Sequence, residues 1–203
     1  MSSSITIRLK SGRSYCSGVL ISPDLDAAAD ARTDLVLSCA HFLRERTGPI
    51  SASGAFFPAR VLGAVRIPRT DLAVLRLDTP SPPKDLLRVS TSPAPWLAPT
   101  VTEGFGGNLR RPAQRLGRVV ARSPIAMGRN LRTFVTSAAI LYNNPKAIKG
   151  DSGGPVIVNG EIVAVQSMVT DPLGVNTGIA TVAQVAPHRR AIAAAVAALQ
   201  QAY

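Results

Sequence analysis

Cysteine, histidine, aromatic and acidic residues are all scarce in this chain, and each scarcity closes a route. The 203 residues hold two cysteines and two histidines. Cys39-Ala40-His41 brings a thiol and an imidazole close, but the set shows no metal-ligand spacing. Neither a metal nor any other cofactor is expected. Aromatics make up 4%, which leaves few platforms on which bases could stack. Twelve acidic residues face 23 Lys and Arg, for a net charge of +11. Such charge attracts nucleic acid, anionic membrane or acidic protein. The arginines are dispersed, however, from Arg8, Arg13 and Arg32 through Arg60, Arg66, Arg76 and Arg88, with one denser region from Arg110 to Arg132. Basic charge alone supplies only the electrostatic part of nucleic-acid binding, so a dedicated nucleic-acid site is not expected. No apolar run reaches the roughly 18 residues that would signal a membrane span, so no membrane partner is expected. Met1 to Arg8 shows no basic region followed by an apolar one. It does not read as a secretory signal, and the simplest compartment is the cytoplasm.

Hydrophobic residues make up 46%, enough for a sizeable core. Sixteen glycines and 16 prolines are scattered and imply many turns. Short apolar or alternating runs recur between them: Ile5 to Leu9, Cys16 to Ile21, Leu35 to Ser38, Arg60 to Val65 and Leu72 to Leu77. Strands at this spacing predict a sandwich or barrel. A proline-rich stretch, 79–99, reads as an extended connection. The scheme then repeats over Leu97 to Gly104, Gln114 to Arg122, Arg132 to Ala138, Pro155 to Val158, Ile162 to Val169 and Gly178 to Thr181. Val185 to Gln201 is alanine-rich with apolar residues at Ile192, Val196 and Leu199, which predicts a helix.

One motif stands out: Gly150-Asp151-Ser152-Gly153-Gly154-Pro155. It places a hydroxyl in a turn whose consecutive N–H groups can point at whatever that hydroxyl attacks. Upstream lie Leu37-Ser38-Cys39-Ala40-His41 and Thr70-Asp71-Leu72-Ala73-Val74-Leu75. Together they supply a nucleophile, a general base and an orienting carboxylate. A serine hydroxyl is weak at neutral pH and needs such a base. Asp34 and Asp78 are the rival carboxylates, and His188, near the start of the terminal helix, reads as a solvated residue.

These motifs, with Cys16-Ser17-Gly18-Val19-Leu20-Ile21 and Val101-Thr102-Glu103-Gly104-Phe105-Gly106, resemble the trypsin/chymotrypsin family of serine peptidases. The His, Asp, Ser order is that of the chymotrypsin fold. The resemblance runs from about Cys16 to Val182. It implies an all-β fold of two six-stranded antiparallel barrels with a C-terminal helix packed on the second. Residues 1–90 would carry His41 and Asp71, and residues 91–203 would carry Ser152. It implies peptide-bond hydrolysis on a protein or peptide substrate, with His41, Asp71 and Ser152 catalytic. The N–H groups of Gly150 and Ser152 would form the oxyanion hole, and Gly153 and Gly154 would allow close packing behind the nucleophile.

The resemblance also frames the departures. Secreted relatives join the first motif by a disulfide to the residue after the histidine. That residue is Phe42 here, and Cys39 lies two before His41, so the pairing geometry differs and two buried thiols fit better. Asp151 matches an aspartate that pairs, in secreted members, with a new N-terminal amine. No Ile-Val-Gly-Gly-type terminus is evident, so Asp151 pairs with an internal cation or activity needs no such cleavage. Lys146 falls at the base of the specificity pocket, which removes support for Arg or Lys preference. Ser167, Met168, Val169 and Gly178 would line the substrate, and Lys146 and Lys149 could favour acidic side chains. Two other readings stay open: a catalytically silent peptidase fold used for binding, and a peptidase that works only once an activating protein partner remodels the turn.

Overall fold

The computed structural model describes residues 4–54, 58–128, 132–169 and 175–203; the first three residues of the N-terminal stretch read above lie outside this set. Six strands close the first barrel: β1 (Thr6–Ser11), β2 (Ser14–Leu20), β4 (Leu35–Cys39), β5 (Ser51–Ser53), β6 (Pro58–Arg66) and β7 (Leu72–Leu77), in the order β1-β2-β4-β7-β6-β5. Six more close the second: β9 (Pro99–Gly104), β10 (Ala113–Met127), β11 (Phe134–Asn144), β12 (Pro155–Val158), β13 (Glu161–Val169) and β14 (Ile179–Gln184), in the order β10-β11-β14-β13-β12-β9. Every pairing between these strands is antiparallel. The expected architecture of two six-stranded barrels and a C-terminal helix is what the chain adopts.

The central strands explain the pattern. All five residues of β4 are buried, as are Leu72 to Leu75 of β7, so these strands read as continuous apolar runs. Leu20, Leu35, Leu37, Leu72, Leu75 and Leu77 are among the largest fully buried side chains. Each contributes about 1.5–3 kcal/mol by leaving water. Strand β6 instead alternates and presents one face outward.

Three elements differ from the sequence expectations. Helix α1 (Ala40–Glu45) follows β4 directly and carries His41. The connection 79–99 is more than a linker, because its strand β8 (Lys84–Leu86) pairs with β3 (Ala28–Ala31) in a small separate sheet. The terminal helix α2 spans Arg189–Ala202, after a single 3-10 turn at Ala186–His188 that begins around Pro187. It packs on β6 and β7 of the first barrel, which corrects the expectation that it lies on the second. The cause is a flat spot at Gly63, where a Cβ would meet Tyr203 and Leu199 at 2.6 and 3.1 Å. Arg76 Nη1 donates to the Leu199 carbonyl at 3.0 Å, and Ile192, Ala195, Val196 and Leu199 join the core with first-barrel side chains.

Candidate active site

Strand pairing brings the first two functional side chains together. In the β4–β7 register, Cys39 lies opposite Leu72, so one step further Ala40 faces Asp71. The Ala40 N–H donates to the Asp71 carbonyl at 3.2 Å, and α1 turns the next residue, His41, over the carboxylate. Asp71 is buried, and its charge is fully engaged. Oδ1 accepts from the His41 backbone N–H at 2.7 Å. Oδ2 lies 2.7 Å from His41 Nδ1 and accepts from Ser167 Oγ at 2.5 Å. A buried carboxylate needs such partners. With the proton on Nδ1, facing the carboxylate, Nε2 is left as an acceptor.

The His41 side chain is 16% exposed, so part of the ring faces solvent. Its Nε2 lies 3.7 Å from Cys39 Sγ. Burial opposes charge on the imidazole. The Cys39 sulfur and the Asp71 carboxylate favour that charge and prevail, raising the ring above its ordinary 6.5. Burial also pushes the Cys39 thiol well above its ordinary value. Cys39 is therefore a neutral S–H at neutral pH, and Asp71 is the charge that acts on His41 there. Cys16 and Cys39 are both free and buried.

Ser152 sits on the glycine-rich turn that enters β12. Its Oγ donates to the Ser167 carbonyl at 3.2 Å. One residue thus touches both halves of the site, since the Ser167 hydroxyl holds Asp71 and the Ser167 carbonyl holds Ser152. The Ser152 hydroxyl is not hydrogen-bonded to His41 here. Gly150 has φ +101°, and Gly153 has φ +85° with Ser17 O only 2.0 Å from where a Cβ would lie. Both positions favour glycine. Among the described residues, the N–H groups of Gly150 and Ser152 donate to no protein acceptor.

Ser17 fixes this turn to the first barrel. Its Oγ donates to the Gly150 carbonyl at 2.7 Å and accepts from the Phe105 N–H at 2.9 Å, while its own N–H donates to the Ser152 carbonyl at 2.7 Å. Asp151 points the other way and is buried. It pairs with Arg115 Nε at 2.5 Å and accepts from the N–H groups of Gly106 and Ile148 at 2.8 and 2.9 Å. Of the two options left open for Asp151, the internal cation is the one present.

The other expected residues fall less centrally. Met168 and Val169 end β13 beside Ser167, both half-buried, and Met168 packs against the core. Lys146 is exposed, and its Nζ donates to the Asn176 carbonyl at 2.7 Å. Gly178 lies against it, 3.5 Å separating a Gly178 Cβ from Lys146 Cγ. His188 is half-buried, its Nε2 3.3 Å from the Thr136 carbonyl, rather than solvated. Sequence reasoning missed three roles: the Ser17 clamp, the Ser167 hydroxyl and Arg115. Ser17 and Ser167 lie within motifs already singled out. Arg115 carries no local signal.

Two closed six-stranded antiparallel barrels with a C-terminal helix define a chymotrypsin-like fold. The model of the trypsin-like peptidase domain family matches residues 16–165, and the chain belongs to that family. No curated protein matches it in sequence. Among solved structures, it is similar to the active form of Rv3671c protease from M. tuberculosis, with 21% identity, TM-score 0.70, and 93% of this chain and 78% of that one covered. It is similar to kallikrein-related peptidase 10 in complex with Zn2+, with 19% identity, TM-score 0.71 and 96% of each chain covered. It is also similar to the HtrA-type protease AlgW with tripeptide, with 16% identity, TM-score 0.71, and 96% of this chain and 61% of that one covered. At these identities the likeness shows the fold.

Proposed function

We propose that this chain is a serine endopeptidase that cleaves peptide bonds through a His41–Asp71–Ser152 triad and an acyl-enzyme intermediate. The observation that carries the reading is the His41 Nδ1–Asp71 Oδ2 contact at 2.7 Å, with Ser167 donating its hydroxyl to Asp71 and accepting the Ser152 hydroxyl at its own carbonyl. In catalysis the Ser152 Oγ rotates from the Ser167 carbonyl toward His41 Nε2, loses its proton there and attacks the scissile carbonyl. The N–H groups of Gly150 and Ser152 receive the oxyanion. His41 then returns the proton to the leaving amine, and water repeats the sequence to release the acyl group. The Arg115–Asp151 pair holds the turn from within. The functional halves in this reading are 1–90 and 91–203. Lys146, Met168, Val169 and Gly178 flank the substrate. Two free, buried thiols fit a reducing compartment such as the cytoplasm.

A second reading, a form that an activating partner must switch on, is favoured by one observation: the Ser152 hydroxyl donates to Ser167 rather than to His41. A fluorophosphonate probe separates the two. Labelling of the isolated protein, lost in Ser152→Ala, supports the self-sufficient enzyme. Labelling only after a partner is added supports the second. No labelling under any condition sinks the hydrolase proposal.

A further inference from the structure

A cleft of about 360 Å³ opens where the barrels meet, beside Ala40 and Thr70, the chain neighbours of His41 and Asp71. Arg44 of α1 and Arg66 and Arg69 of the β6–β7 turn form one wall. Arg132 and Phe134, at the head of β11, form the other. No carboxylate lines it. Among the described residues, Arg44, Arg66 and Arg69 join no ion pair, and Arg44 donates only to the neutral Thr133 hydroxyl at 3.1 Å. Elsewhere some of the scarce acids are used: Asp34 takes Arg76, Asp26 takes Arg88 and Arg189, and Asp151 takes Arg115.

Arg69 adds a second observation. Its φ is +61°, in the left-handed region that glycine or asparagine holds with less strain. The turn is clamped across the seam, because the Arg69 carbonyl accepts from Thr136 N–H at 3.1 Å and from Thr136 Oγ1 at 2.7 Å. Strain of this kind is kept where a side chain must be presented at one place. Here it presents a guanidinium at the rim of a cleft already lined by others. Guanidiniums so grouped repel one another and match carboxylates in bidentate fashion. Phe134, 37% exposed, supplies an apolar wall for the methylenes of a glutamate.

We propose that this cleft binds acidic side chains of the polypeptide substrate, an Asp- or Glu-bearing segment flanking the scissile bond. The proposal rests on the peptidase reading. It places acidic selectivity at this cleft in addition to Lys146, whose ammonium donates one hydrogen bond to the Asn176 carbonyl.

The test uses the full chain. Anisotropy measures binding of a fluorescent peptide with four consecutive glutamates, and of its glutamine counterpart, to the Ser152→Ala protein. The expected result is about tenfold tighter binding of the glutamate peptide, an advantage that shrinks with added salt. Arg44→Gln/Arg66→Gln removes the advantage, and Arg44→Lys/Arg66→Lys keeps part of it. In the active protein, placing Glu for Gln at successive positions raises kcat/KM at one of them. The glutamine double variant loses that gain and cleaves the glutamate and glutamine peptides at equal rates. Equal affinity for the two peptides, or an unchanged preference in the glutamine variant, overturns the proposal. So does displacement of the peptide by equimolar inorganic phosphate or duplex DNA. A protein that binds the glutamate peptide but resists the fluorophosphonate fails the peptidase reading and leaves the acidic site standing. One that is labelled but shows no glutamate preference does the reverse.

Discussion

His41 must be neutral to accept the Ser152 proton, and Asp71 favours the charged form. The acid limb of the kcat/KM profile therefore lies above 6.5. Asp71→Asn removes that charge and fixes the wrong tautomer. The limb should move to lower pH, and kcat/KM should fall on the order of 10⁴-fold. A pH–rate profile of both proteins checks this. The same shift has a stability consequence. Folding raises the His41 pKa, so the charge pair stabilises fully below the ordinary imidazole value and fades as pH rises through the raised one. The gap in melting temperature between parent and Asp71→Asn should narrow from pH 6 upward. Ser167→Ala deletes one of three bonds to a buried carboxylate, for a loss of about 2 kcal/mol, read by denaturant unfolding. At this scale the sequence was most legible where residue type is restrictive. Only two histidines exist, and only His41 stands next to a motif. The Ser167 hydroxyl was illegible because serine serves equally well as a substrate-facing or a carboxylate-facing residue until β13 fixes its direction.

The turn 148–154 depends on two elements that sequence treats as unrelated. One is β2, whose Ser17 clamps Gly150 and Ser152. The other is β10, whose Arg115 neutralises Asp151. Arg115→Met strands a buried carboxylate, for a destabilisation of about 3–5 kcal/mol, and should abolish fluorophosphonate labelling. Arg115→Lys should retain part of both, as melting curves and labelling will show. Gly153→Ala drives a methyl into the Ser17 carbonyl and should prevent folding, measurable as loss of soluble protein. Strand runs such as Leu35 to Ser38 and Leu72 to Leu77 were legible because burial on both faces writes an uninterrupted apolar string. Helix α1 was not: six residues give too few turns for periodicity to register. Nor was β8, short and set among prolines.

Over the whole molecule, twofold repetition of short strands and the spacing of three motifs disclosed the barrels. The partner of α2 was hidden, since an amphipathic helix records that it needs an apolar surface without recording which. Its position on β6 and β7 means that Arg189–Ala202 crosses back to cover the barrel that was made first. Fragments 1–90 and 91–203, expressed apart, should each precipitate or remain unfolded, and should regain structure and labelling when mixed. During synthesis the first barrel must wait, with one flank bare, until Arg189–Ala202 leave the ribosome.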